Sequence, residues 1–134
     1  LEERLADTPV TVSQTPNGRA DAVTYDKEGE EWVFATPHDD RMSFRTFCKL
    51  MRKRGENPEA PVNYIQFQNS NFQLEFLSAL ADDIRPTAAF DFAAEVFQAP
   101  PDAVNIWIGE NRSVSSLHKD HYENLYAVIA GEKH

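Results

Sequence analysis

The sequence predicts a mainly β domain with flanking helices, on three observations. Short β-prone runs open the chain, two later segments carry apolar residues at helical spacing, and the texture turns to strands from Ala103 onward. With 134 residues, 41% hydrophobic and 11% aromatic, the chain has the size and apolar content of a single globular domain.

Val10-Thr11-Val12 and Trp32-Val33-Phe34 predict strands, separated by the turn signal Pro16-Asn17-Gly18 and an acidic, Gly-containing segment. His38 and Asp40 follow Pro37 in a polar stretch and are expected in a loop. Ser43 is a good N-cap for a helix with Phe44, Phe47, Cys48, Leu50 and Met51 at helical spacing, closed by Gly55 and Pro58. Lys49, Arg52, Lys53 and Arg54 fall at its end, where cations suit the helix dipole; a basic docking patch is the other reading.

Tyr64-Ile65-Gln66-Phe67-Gln68 alternates, which predicts a strand with Tyr64, Gln66 and Gln68 on one face and Ile65 and Phe67 on the other. Residues 72–84 place Phe72, Phe76, Leu77, Leu80 and Ile84 on one side of a second amphipathic helix, ended by Arg85-Pro86. A short helical piece over residues 90–97 stops at Pro100-Pro101. Val104-Asn105-Ile106-Trp107-Ile108 before Gly109, and residues 125–130 before Gly131, predict strands. Leu1 opens the chain without an initiator methionine, and Gly131-Glu132-Lys133-His134 reads as a new strand after a turn. A longer natural protein, with later strands beyond residue 134, is therefore expected.

Twenty-two acidic against thirteen basic side chains give a net charge of −9, which repels phosphate backbones and argues against direct nucleic-acid binding. No apolar stretch approaches the roughly 20 residues that cross a bilayer, so no membrane association is expected. The single Cys48 excludes an internal disulfide and is the usage of a reducing compartment, cytosol or nucleus.

In extended chain, residues two apart share a face, so His118 and Asp120 can converge on one metal ion. They supply two-thirds of the set of two histidines and one carboxylate that holds Fe(II) on one octahedral face. The spacing alone is weak, because His38 and Asp40 repeat it and His121 and Glu123 match it loosely; the latter pair would face away on a continuous strand. Context separates His118 and Asp120, with strands on either side and Lys133 after the Gly131 turn. A buried lysine in a small-molecule site neutralises a carboxylate or phosphate; the competing reading is a solvated surface residue.

The run Ser115-Ser116-Leu117-His118-Lys119-Asp120-His121-Tyr122-Glu123-Asn124-Leu125-Tyr126, continued by Gly131-Glu132-Lys133-His134, closely resembles the JmjC family. Preceded by Asp102-Ala103-Val104-Asn105-Ile106-Trp107-Ile108-Gly109, it is most similar to the small JmjC lysyl hydroxylases. The resemblance extends over nearly the whole chain, including Pro9-Val10-Thr11-Val12 and Ala20-Asp21-Ala22-Val23. It implies a double-stranded β-helix, the cupin-like jelly roll, incomplete at the C-terminus. Residues 1–134 would form a single partial domain, with strands and helices over 1–101 and the first core strands over 102–134.

The resemblance implies an Fe(II)- and 2-oxoglutarate-dependent dioxygenase that uses O2, with His118 and Asp120 as catalytic metal ligands and a further histidine beyond residue 134. His134, next to Lys133 in a strand, would point to the opposite face. Lys133 matches the lysine for the distal carboxylate of 2-oxoglutarate, Ser115 the hydroxyl that assists it, Asn124 an amide near the cosubstrate, and Tyr64 a phenol that hydrogen-bonds it. Tyr64 read from the residues alone is equally an amphipathic aromatic at a core edge. The implied activity is hydroxylation of a lysine side chain in a protein, with a GTPase among the candidate substrates. A histone-directed JmjC demethylase and a non-catalytic cupin-like binding module are the alternatives.

Overall fold

The computed structural model describes residues 1–54, 57, 59–83 and 88–134, and the side chains of all of these except Arg54 and residues 88–91. Gly55, Pro58, Ile84 and Arg85-Pro86, expected as helix ends or helix-face residues, lie outside the described residues, as does the side chain of Phe90. Strands are the more numerous elements among the described residues, with helices between them, as the sequence predicts. The chain runs α1 (Glu2–Leu5), β1 (Pro9–Thr15), β2 (Arg19–Ala20), β3 (Ala22–Asp26), β4 (Glu31–Ala35), β5 (His38–Ser43), α2 (Phe44–Arg54) and β6 (Val62–Tyr64). A π-helical turn over Phe72–Phe76 leads into α3 (Leu77–Leu80), followed by α4 (Ala88–Phe97) and β7 (Val114–Ser115). Among the described residues the strands form three sheets, ordered β5-β1-β6, β2-β7 and β3-β4.

The organising strand is β1. Val10 and Val12, both fully buried, meet Leu5, Phe44, Phe47, Ile65, Phe72, Phe76 and Leu80 in the core. Phe44 and Phe47 lie one turn apart, so α2 presents both to β1, and Phe44 meets the Phe76 ring edge to face at 6.4 Å. Ser43 caps α2 as its sequence predicts, its hydroxyl accepting from the Thr46 amide at 3.2 Å. Arg52 of the basic cluster pairs with Glu2 and ties α2 to α1.

His38 and Asp40, expected in a loop, instead lie in β5, antiparallel to β1 with Gln14 opposite His38 and Val12 opposite Asp40. The polar composition hid an edge strand. Its side chains are exposed from His38 to Arg41, and β1 supplies the apolar half of the pairing. The alternation over residues 64–68 also overreaches. β6 ends at Tyr64, Ile65 continues as an isolated bridge to Ile108, and Gln66 to Gln68 leave the sheet before the left-handed Asn69 and Ser70.

The second amphipathic helix begins with a π-helical turn, where Glu75 is buried among β1 and β5. Its carboxylate accepts from the Thr11 amide at 3.0 Å, the Thr11 hydroxyl at 2.6 Å and Arg41 at 2.9 Å, so a buried charge is fully engaged.

The expected strand over residues 104–108 exists as extended chain without a strand ladder. Asn71, completely buried, takes the place of a neighbouring strand: its amide nitrogen donates to the Ile106 carbonyl at 2.9 Å and its amide oxygen accepts from the Ile106 nitrogen at 2.8 Å. Ile65 and Ile108 then exchange a reciprocal backbone pair at 2.9 and 3.0 Å. The expected strand over residues 125–130 has no ladder either, and Leu125, Val128 and Ile129 are exposed. Extended chain becomes strand only through a neighbour's backbone, and none of the described residues provides one there.

Candidate active site

Two groups of the sequence-predicted residues are brought together, each by a different part of the fold. Tyr64 sits at the end of β6, opposite Ser13 of β1. Ser115 closes β7, which pairs in parallel with β2 so that Ala20 lies opposite it. Gly18 makes that approach possible: at φ +87° it runs against the Arg112 carbonyl, where an added Cβ would lie only 1.8 Å from the oxygen, and its own carbonyl accepts from the Val114 amide at 2.8 Å. These two strand ends meet in a side-chain hydrogen bond between Ser115 and the Tyr64 phenol.

Burial pushes the Tyr64 phenol above its ordinary range, the Ser115 hydrogen bond pulls it partway back, and the nearby Tyr126 raises it further. The phenol is therefore neutral near pH 7 and has a proton to donate. Gly109 gives it room, since a Cβ there would stand 2.7 Å from the edge of the Tyr64 ring. Tyr126 stacks obliquely on Trp107 with centroids 5.6 Å apart, and the Lys133 ammonium lies 4.8 Å above the Tyr126 ring. Ser115 thus acts on the Tyr64 phenol, and the Lys133 ammonium lies over Tyr126, the other ring that acts on that phenol: two hydroxyls and one cation, a donor set suited to a carboxylate.

His118 and Asp120 make the second group. The His118 Nδ1 lies 2.7 Å from the Ser116 carbonyl, which can only accept, so Nδ1 carries a hydrogen and points the other nitrogen outward. That Nε2 stands 3.4 Å from the Asp120 Oδ1. The second carboxylate oxygen, Oδ2, accepts from the Asn124 amide at 3.2 Å. Asn124 therefore holds Asp120, whereas the resemblance places it beside the cosubstrate. Both His118 and Asp120 are about half exposed, and the chain bends at His121 and Tyr122 in place of a continuous strand.

Two ligands at about 2.1 Å from one ion and at right angles to each other lie about 3 Å apart, so the 3.4 Å gap fits two adjacent positions on a small divalent cation. No cluster of three histidine, cysteine, aspartate or glutamate side chains occurs among the described residues. His134 lies 3.3 Å from Glu132 at the exposed surface.

Tyr126, Trp107 and Gly109 escaped the sequence reading. An aromatic within an apolar run reads as core, and only the lysine over the Tyr126 ring distinguishes it. Gly109 read as a strand terminator, a signal silent about the ring beside it.

Comparison with known proteins identifies the family. The family model described as a cupin-like domain matches residues 1–134. The chain is 42% identical over its whole length to the "Lysine-specific demethylase JMJ32" of Arabidopsis thaliana, covering 36% of that protein. It is 41% identical, over 99% of its length, to "JmjC domain-containing protein E" of Dictyostelium discoideum, covering 38%. It is also 41% identical, over 97% of its length, to the human "Bifunctional peptidase and (3S)-lysyl hydroxylase JMJD7", again covering 38%. The chain spans little more than a third of the length of these relatives. Matched from its first residue to its last, the chain belongs to the cupin-like domain family and, within it, to the JmjC proteins.

Proposed function

We propose that this chain carries half of the catalytic centre of an Fe(II)- and 2-oxoglutarate-dependent protein hydroxylase acting on a lysine side chain. The carrying observation is the His118–Asp120 pair. With Nδ1 committed to a carbonyl, His118 turns its Nε2 toward a carboxylate oxygen 3.4 Å away, and a histidine nitrogen and a carboxylate oxygen at that distance are placed to share one cation. Membership of a family containing a lysyl hydroxylase and a lysine-specific demethylase supports oxygenase chemistry.

In this reading His118 and Asp120 hold Fe(II), Asn124 fixes the orientation of Asp120, and a histidine beyond residue 134 is the third protein ligand. Lys133 and the hydroxyls of Ser115 and Tyr64 hold the distal carboxylate of 2-oxoglutarate, the lysine supplying charge and the neutral phenol a proton. When bound, iron and 2-oxoglutarate supply the activation of O2; the protein's part is to place the target C–H bond and keep out water. The fold proposed is the double-stranded β-helix, with residues 1–101 supporting and 102–134 opening the metal-bearing core, and later strands covering Leu125, Val128 and Ile129. The single free Cys48 supports a reducing compartment, cytosol or nucleus.

The test is conversion of 2-oxoglutarate to succinate by the full-length protein with Fe(II) and lysine-containing proteins, GTPases and histones among them. Turnover that is lost in a folded His118→Ala variant supports the reading; no turnover with any of them, or turnover unaffected by the substitution, refutes it. The relatives' names carry both hydroxylation and demethylation. A stable product with one added oxygen favours the hydroxylase, and released formaldehyde the demethylase.

A further inference from the structure

The β3–β4 hairpin is built inside out. Paired strands with one wet face normally turn polar side chains to water, yet here the large apolar residues point outward. Val23 lies opposite Phe34 and Tyr25 opposite Trp32, so all four share one face. They are 63, 67, 45 and 70% exposed, while Thr24 and Val33 on the other face are half-buried. Tyr25 and Trp32 meet edge to face at 5.4 Å, leaving the faces of both rings partly open. The hairpin joins no other sheet among the described residues.

The charges around this face select its partner. The turn that closes the hairpin runs Asp26-Lys27-Glu28-Gly29-Glu30-Glu31, four carboxylates and one ammonium within six residues, with Glu28, Glu30 and Glu31 exposed. An aromatic platform rimmed by carboxylates suits arginine and lysine side chains: their aliphatic stems lie on the rings, their cations stack on the ring faces, and their charge meets the rim. A second copy would bring acidic turns and a net charge of −9 against the same.

We propose that the β3–β4 hairpin is a docking site for a basic segment of the protein substrate, remote from the target lysine itself. The inference rests on the proposed protein-hydroxylase reading for the identity of the partner as a substrate; the hairpin's binding chemistry stands on its own geometry. Docking at this face supplies affinity and orientation from contacts away from the reacting bond.

The test uses full-length protein and a fluorescein-labelled peptide of alternating arginine and valine, read by anisotropy, with an alternating glutamate and valine peptide as control. Two variants are compared: Trp32→Ser with Phe34→Ser, and Glu28→Lys with Glu30→Lys, each checked for unchanged circular dichroism. Substrate-independent consumption of 2-oxoglutarate is followed in parallel, so loss of the catalytic reading and loss of the docking reading register separately. We expect the basic peptide to bind, more weakly as salt rises, and each variant to bind it at least fivefold more weakly with that consumption unchanged. Equal binding by wild type and variants, or equal binding of the acidic peptide, overturns the proposal. So does a Trp32 emission that is blue-shifted and shielded from acrylamide in the free full-length protein, because another part of the chain then covers the face. A fall in sedimentation coefficient on removing Trp32 and Phe34 overturns it in favour of a second copy.

Discussion

Asn124 donates to one oxygen of Asp120 while the other oxygen faces His118, so the amide fixes which carboxylate oxygen meets the histidine nitrogen. Asn124 lies four residues beyond Asp120 on a bent segment, and the bend at His121 and Tyr122 is what lets it return to Asp120. Supporting partners of this kind typically set metal affinity by about ten- to a hundredfold. Asn124→Ala is therefore expected to weaken Fe(II) binding to the full-length protein by about that factor, measured by anaerobic titration, with little change in thermal stability. An unchanged metal affinity would detach Asn124 from the metal site.

Gly109 passes so near Tyr64 that a methyl group there must displace the ring. Gly109→Ala is expected to raise KM for 2-oxoglutarate, because the Tyr64 phenol moves away from Ser115, and to cost about 1–3 kcal/mol of stability from overpacking. Chemical denaturation and steady-state kinetics on the full-length protein check the two parts separately.

The raised pKa of Tyr64, caused first by burial, fixes the sign of a pH effect. The folded state favours the neutral phenol, so its contribution to stability is whole below the unfolded value of about 10 and is lost as pH rises through the folded value. Ultraviolet titration of the phenols is expected to show one tyrosine ionising later than the others, absent in Tyr64→Phe. A Tyr64→Phe variant that retains the late phase would assign it elsewhere.

Glu75 is a buried carboxylate with three donors, two of them from Thr11. Glu75→Ala strands the Thr11 amide and hydroxyl together and is expected to cost about 2–4 kcal/mol. Glu75→Gln keeps one acceptor and should cost less. Urea unfolding of the two variants orders them.

What the sequence made legible follows from where local chemistry and tertiary packing agree. Ser43 announced its helix because capping is local, and Val10 and Val12 announced β1 because both sides of the alternation remain in the structure. His38 and Asp40 failed because an edge strand borrows its hydrophobic partner from β1 and has no apolar pattern of its own. Residues 104–108 were legible as extended chain, but a buried asparagine standing in for a strand leaves no pattern. At the site, the His118 and Asp120 spacing and the family resemblance of Tyr64, Ser115 and Lys133 were readable. Tyr126, whose ring carries the Lys133 ammonium, lies in an apolar run and was not.

The central claim is that His118 and Asp120 share one cation. Its most direct measurement is an anaerobic Fe(II) titration of the full-length protein in the presence of 2-oxoglutarate, followed by the visible absorption of the iron–cosubstrate complex. Wild type should saturate at one iron per chain, and His118→Ala and Asp120→Ala, each verified as folded, should lose the absorption and bind iron at least a hundredfold more weakly. Saturation by either variant at the wild-type iron concentration, with the same absorption, would contradict the account.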